Sequence, residues 1–156
     1  MALRKPLCLV SGQIQQLQSG DTLDAAIIET ESITLANGES SDAITIGMPV
    51  YISAADTVKK AKADAAGTAT VFAICKAASI AATFTGEFFT SGQLASSNWT
   101  AVTGGTTLTA GSIYYLSNGT AGQLTATAPT TGLIVEVGQA INTTTMQIKI
   151  KRPILL

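Results

Sequence analysis

Two stretches of this chain match each other at a constant spacing, and that repeat limits the possible folds more than any other feature. The first is Ala43-Ile44-Thr45-Ile46-Gly47-Met48-Pro49-Val50-Tyr51-Ile52-Ser53, and the second is Thr107-Leu108-Thr109-Ala110-Gly111-Ser112-Ile113-Tyr114-Tyr115-Leu116-Ser117. Thr45, Gly47, Tyr51 and Ser53 recur as Thr109, Gly111, Tyr115 and Ser117, each 64 positions later (109 − 45 = 64). The same spacing sets Val71 against Val135 and Ala73 against Val137. A register held without gaps across this span implies two copies of one structural unit.

The repeat resolves a local ambiguity. Residues 55–66, Ala-Asp-Thr-Val-Lys-Lys-Ala-Lys-Ala-Asp-Ala-Ala, are good helix formers. Their counterparts, Gly119 to Thr130, contain Gly119, Gly122 and Pro129, which interrupt helices. Two units of one fold therefore make 55–66 strand and turn, with a short helical turn as the alternative. Met146, Ile148 and Ile150 alternate with polar residues, the period of two of a half-buried strand. Leu133, Val135 and Val137 form another apolar face, and Phe84 to Phe89 reads as a strand placing Phe84 and Phe88 together. Asn37-Gly38 and Asn118-Gly119 are predicted to supply the positive-φ residues of tight turns. Short strands with Gly-rich turns predict an all-β sandwich or barrel of two related lobes. The expected division is 1–40 as N-terminal arm and first strands, 41–92 as first repeat, and 93–156 as second repeat with a C-terminal strand and tail.

Charge is sparse and uneven. Only 12% of residues are charged, about half the usual share, and the net charge is −1. No long-range field draws such a chain to nucleic acid or to an anionic membrane. From Pro6 to Val58 there are seven acids and no Lys or Arg, whereas the 48 residues from Phe88 to Val135 carry no charge. Lys and Arg gather at the ends, as Arg4, Lys5, Lys149, Lys151 and Arg152. An uncharged polar surface loses little hydration energy when a partner covers it. Basic ends can also meet the acidic N-terminal third of a neighbouring copy, although exposed charge pairs add little.

The chemistry-bearing residues are few. Histidine is absent, so neither a Ser-His-Asp nor a Cys-His nucleophile can be assembled. There is no zinc spacing of cysteines and no GxxxxGK[ST] phosphate loop. Asp21 and Asp24 lack Ca²⁺-loop spacing and fit turn and N-cap roles. We expect no enzyme activity, no catalytic residue, no metal and no cofactor. Cys8 and Cys75 lie in apolar runs and read as buried free thiols, with a disulfide between them as the alternative. Trp99, Tyr114 and Tyr115 suggest an aromatic sugar platform. Against that, Tyr115 matches Tyr51 and reads as core, while Trp99 reads as covering an edge or interface. Asn98-Trp99-Thr100, Asn118-Gly119-Thr120 and Asn142-Thr143-Thr144 fit the N-glycosylation pattern, but a Thr-rich chain forms such triplets by chance and, without a secretory signal, they are not read as acceptors. The apolar run after Pro6 is too short for a signal-peptide core, so the expected site of synthesis is the cytoplasm.

The segment Leu7 to Leu23, with Gly12-Gln13-Ile14-Gln15-Gln16-Leu17 and Gly20-Asp21-Thr22-Leu23, resembles a motif of tailed-phage virion proteins. Gly111 to Ser117, Gly122-Gln123-Leu124-Thr125, Thr127-Ala128-Pro129, Val135 to Ala140 and Gln147 to Ile150 resemble strand repeats of phage head fibres, tail fibres and head decoration proteins. That resemblance implies a decoration (cement) protein, a homotrimer on the outer capsid surface of the virion that bridges major capsid subunits. Its alternatives are a head-fibre or tail-fibre/adaptor subunit and, in another class, a carbohydrate-binding module. Neither nucleic acid nor membrane is an expected partner. The apolar ends supply the interface candidates Leu3, Arg4, Leu7, Arg152, Ile154, Leu155 and Leu156, and Trp99 joins them.

Overall fold

The computed structural model describes the backbone of residues 7–10 and 13–16 and the whole of residues 32–156. Leu7–Val10 (β1) and Gln13–Gln16 (β2) pair antiparallel, Leu7 opposite Gln16 and Val10 opposite Gln13. The first unit comprises β3 (Ser32–Asn37), β4 (Ile44–Thr45), β5 (Pro49–Ala54), β6 (Thr57–Lys60), α1 (Ala66–Ala69), β7 (Ala73–Cys75), β8 (Ser79–Ile80) and β9 (Thr85–Phe89). The second comprises β10 (Gly92–Ala95), α2 (Thr100–Thr103), β11 (Ile113–Leu116), β12 (Leu124–Thr125), β13 (Leu133–Ile134), β14 (Glu136–Ala140), β15 (Thr145–Ile148) and β16 (Ile154–Leu155). The chain is all-β apart from two single-turn helices among the described residues.

Both units use one strand order. In the first, β3-β9-β7-β5-β6 follow one another around a closed barrel, sealed by a parallel pairing of β3 with β6. In the second, β10-β15-β14-β11-β12 repeat that order as an open sheet, and α2 packs on its edge strand β12. Each unit's first strand thus pairs with a strand near its end, β3 with β9 and β10 with β15. Positions 64 apart match in detail. Met48 N–H donates to Thr45 O and Ser112 N–H to Thr109 O, both at 3.1 Å, and Gly47 and Gly111 follow with φ of +85° and +80°. Ile44 and Leu108, Val50 and Tyr114, and Val71 and Val135 are buried pairs. The second copy drifts by one residue, pairing Ile113 with Gln139 where Pro49 pairs with Ile74. A bulge between Tyr114 and Tyr115 absorbs the shift.

Alternation along the strands builds two cores from one barrel wall. Leu35, Val50, Val58, Ala73, Cys75 and Phe88 fill the barrel, joined by Ile44 and Ile80 from the β4–β8 ribbon. Ile74 and Phe89, opposite each other on β7 and β9, face the other way, into a second cluster. That cluster combines Ala61, Ala63, Ala69 and Val71 of the first unit with Trp99, Val102, Leu116, Val137 and Met146 of the second. Backbone bonds also cross over, from Ala63 N–H to Ser117 O and from Gly122 N–H to Ala61 O. The lobes therefore share one core.

Several expectations are corrected. Residues 55–66 do form turn and strand, with helix only at Ala66–Ala69. Asn37-Gly38 and Asn118-Gly119 have no positive φ; the β5–β6 turn takes its positive φ from Asp56 (φ 51°) instead. Asn37 ends β3 and is 1% exposed, clasping one end of the barrel. Its Nδ2 donates to Asp42 O and Ile80 O, and its Oδ1 accepts from Glu39 N–H. Phe84 does not share the buried face of Phe88: it precedes β9 and is 67% exposed. β3, grouped above with the N-terminal arm, is a barrel strand.

Candidate interaction surfaces

The C-terminal segment returns to the second unit and pairs with it. β16 lies antiparallel to β13, Leu133 opposite Leu155 and Ile134 opposite Ile154, and Leu156 N–H donates to Gly132 O. Lys151 fixes the approach through its N–H on Glu136 O and an ion pair from its Nζ to Glu136 Oε2 at 2.6 Å. Consecutive strand residues point to opposite faces. Leu133 and Ile134 of β13 are half-buried, and Leu133 packs on the shared core. Ile154, by contrast, is 62% exposed and Leu155 76%, so β16 is bare on both faces, and Leu156 extends the same apolar end. Covering these three side chains returns on the order of 3–5 kcal/mol. A two-stranded ribbon of this length is marginal in water on its own.

Elsewhere the surface chemistry is mild. Lys60–Asp42, Lys62–Asp64 and Lys76–Glu87 are ion pairs of 3.2, 3.0 and 2.9 Å, and Lys76 also lies over the Phe89 ring. Lys59, Lys149 and Arg152 form no ion pair among the described residues. A bond from Thr68 Oγ1, with Lys62 beside it, holds the Asp64 carboxyl below its usual range. A cavity of about 490 Å³ opens between the units, lined by Thr45, Ile46, Ala78, Ala95, Ser96 and Asn98 among others. Thr45 Oγ1 is buried there without a hydrogen-bond partner among the described residues. A second cavity, of about 380 Å³, is lined by Ser117, Asn118, Thr125, Thr127 and neighbouring loop residues. Neither lining carries a charge. Among the described residues no three His, Cys, Asp or Glu side chains gather as metal ligands. No described helix is long and apolar enough to cross a membrane.

The sequence-predicted residues divide three ways. Arg152, Ile154, Leu155 and Leu156 are exposed at one end of the second unit, with the half-buried Pro153 between Arg152 and Ile154. Leu3 and Arg4 lie outside the described residues, as do Asp21 and Asp24, and of Leu7 and Cys8 only the backbone is described. Trp99 is the correction: it is 0% exposed, donates from Nε1 to Thr144 O at 3.1 Å, and packs against Gly47 of the other lobe. It offers neither an edge nor a sugar platform. Tyr114, not Tyr115, is the buried tyrosine, its hydroxyl accepting from Thr109 N–H, while Tyr115 and Tyr51 are both half-buried. Cys75 is a free thiol buried in the barrel, and burial pushes its pKa up to about 12. Sequence reasoning missed the exposure of Phe84, which follows Thr83 at φ +68°, a conformation unusual for a β-branched residue. Comparison with protein-family models, with curated proteins and with solved structures gives no match.

Proposed function

We propose that this chain is a capsid decoration protein of a tailed phage, which binds the outer surface of the head as a homo-oligomer, a trimer by preference, and bridges major capsid subunits. The observation that carries this reading is the C-terminal strand β16, whose Ile154 and Leu155 stay exposed, with Leu156 beyond them, although β16 pairs with the half-buried β13. Exposed apolar side chains gathered at one end mark a contact site for another protein, as a subunit that clamps its neighbours requires. The resemblance of the Leu7 to Leu23 segment and of the strand repeats to phage virion proteins supports the virion assignment. A second unit whose residues 93–135 carry no charge supports it further, because a partner can cover that surface without stripping water from ions. Symmetry multiplies such modest contacts into a firm grip on the shell.

The test is immunogold microscopy of virions encoded by the same genome, together with capsid binding by the full chain and by a chain lacking Pro153 to Leu156. Label spread evenly over the head, with binding and self-association lost on truncation at unchanged melting temperature, is the expected result. Label restricted to the tail, or no label, overturns the reading, and so does a truncated chain that binds as well as the full one.

A further inference from the structure

We propose that Asn118 is a site of spontaneous deamidation, and that the fold protects the chain's other Asn-Gly pair, Asn37-Gly38, from the same reaction. This inference does not depend on the capsid reading. In the reaction the backbone nitrogen of the following residue attacks the asparagine Cγ. The new N–Cγ bond forms as Cγ–Nδ2 breaks, and Nδ2 leaves as ammonia with the proton given up by the backbone nitrogen. Water then opens the five-membered imide at either carbonyl, leaving aspartate or isoaspartate. No oxidant or cofactor enters. The structural requirements are a following residue without a side chain in the path, an amide free to turn onto that nitrogen, and access to water.

The chain has four asparagines, and the structure separates them. Asn142 is followed by β-branched Thr143, and its Oδ1 accepts from Thr144 N–H, Thr144 Oγ1 and Thr145 N–H. Asn98 is followed by the buried Trp99, and its Oδ1 accepts from Thr100 N–H. Asn37 has the right neighbour but is pinned by all three bonds of its clasp. The would-be nucleophile, Gly38 N, is itself engaged with Val58 O at 2.8 Å. Asn118 meets every requirement. It and Gly119 are exposed, and its side-chain amide has no hydrogen bond among the described residues. Gly119 N–H makes only a short-range turn bond, to Ser117 Oγ at 3.1 Å, and a Cβ at Gly119 would meet only that same oxygen, at 3.7 Å. The product places a carboxylate in the middle of the 48-residue charge-free run, at the rim of the 380 Å³ cavity.

The test is to hold the full-length folded chain at mildly alkaline pH and 37 °C, then map peptides by mass spectrometry and assay isoaspartate enzymatically. Conversion at position 118 is expected to run at least roughly tenfold faster than at 37, because Asn37 must wait for local opening of the barrel end. In denaturant the two Asn-Gly sites should convert at similar rates. Gly119→Ala should slow the reaction by setting a methyl group beside the attacking nitrogen, in a backbone conformation alanine adopts without strain, and Asn118→Gln should suppress it. The proposal is overturned if Asn37 converts as fast as Asn118 in the folded chain. It is equally overturned if Asn118 converts no faster than Asn98 and Asn142.

Discussion

Gly47 and Gly111 form a matched pair for measuring how tightly the two lobes are joined. Both sit in the same turn of their units with nearly the same φ, so alanine meets the same backbone strain at each, about 1–2 kcal/mol. What differs is the space. A Cβ on Gly111 meets nothing within 4 Å, whereas one on Gly47 lies 2.7 Å from Trp99 Cζ3 and 3.1 Å from Val102 Cγ2. Trp99 is fully buried and tied to Thr144 O, so it cannot swing aside, and such overpacking costs about 1–3 kcal/mol more. Gly111→Ala should therefore lose about 1–2 kcal/mol and Gly47→Ala about 2–5 kcal/mol. Urea unfolding followed by fluorescence reads this directly, because Trp99 is the only tryptophan. The midpoint should fall further for Gly47→Ala at an unchanged slope. Equal losses in the two variants would refute the claim that Trp99 is wedged against the first lobe.

Asn37→Ala leaves Asp42 O, Ile80 O and Glu39 N–H without their partner, and should cost on the order of 3 kcal/mol by chemical denaturation. Asn37→Asp should cost no less, since a carboxylate cannot donate to the two carbonyls; a variant as stable as wild type would show that the clasp is dispensable. Cys75 makes stability depend on alkaline pH. Its folded pKa of about 12 lies above the ordinary 9.0, so between those values the native thiol keeps a proton that the unfolded chain has released. Stability should then fall as pH rises from about 9, by about 1.4 kcal/mol per unit from this group. Cys75→Ala should show a shallower decline by that amount, and identical pH profiles would count against the burial of the thiol.

The repeat made two related β units legible and favoured strand and turn over helix at 55–66, while the strand order, which depends on long-range pairing, was not legible. Nor could the repeat convey which buried member of each pair does the work. Tyr51 and Tyr115 match by identity, yet the equivalent buried positions are Val50 and Tyr114, different residues serving one inward-facing site. Asn-Gly pairs misled because hairpin propensity is local. At Asn37 the demands of three backbone groups at the barrel end outweigh it. Trp99 misled for a related reason: a lone tryptophan in a Ser/Thr-rich stretch reads as surface, but here it fills the seam between lobes. At the C-terminal end only the apolar character of Ile154, Leu155 and Leu156 was legible; their return to pair with β13 is a long-range contact that no local pattern announces.

The pairing of β3 with β9 and of β10 with β15, strands at opposite ends of their sheets' sequence, has a kinetic consequence. Gly92 must find Ile148, and Ser32 must find Phe89, so neither sheet can be completed by neighbours in sequence. Contacts of such separation fold in milliseconds to seconds. Synthesis at about 5–20 residues per second adds a wait of several seconds for each. During that wait a finished first barrel presents Ala61, Val71, Ile74 and Phe89 to water, the very side that the second unit will cover. The nascent chain is therefore most prone to aggregate after its first half is already folded, and a ribosome pause between the two units should lower its yield more than a pause within either.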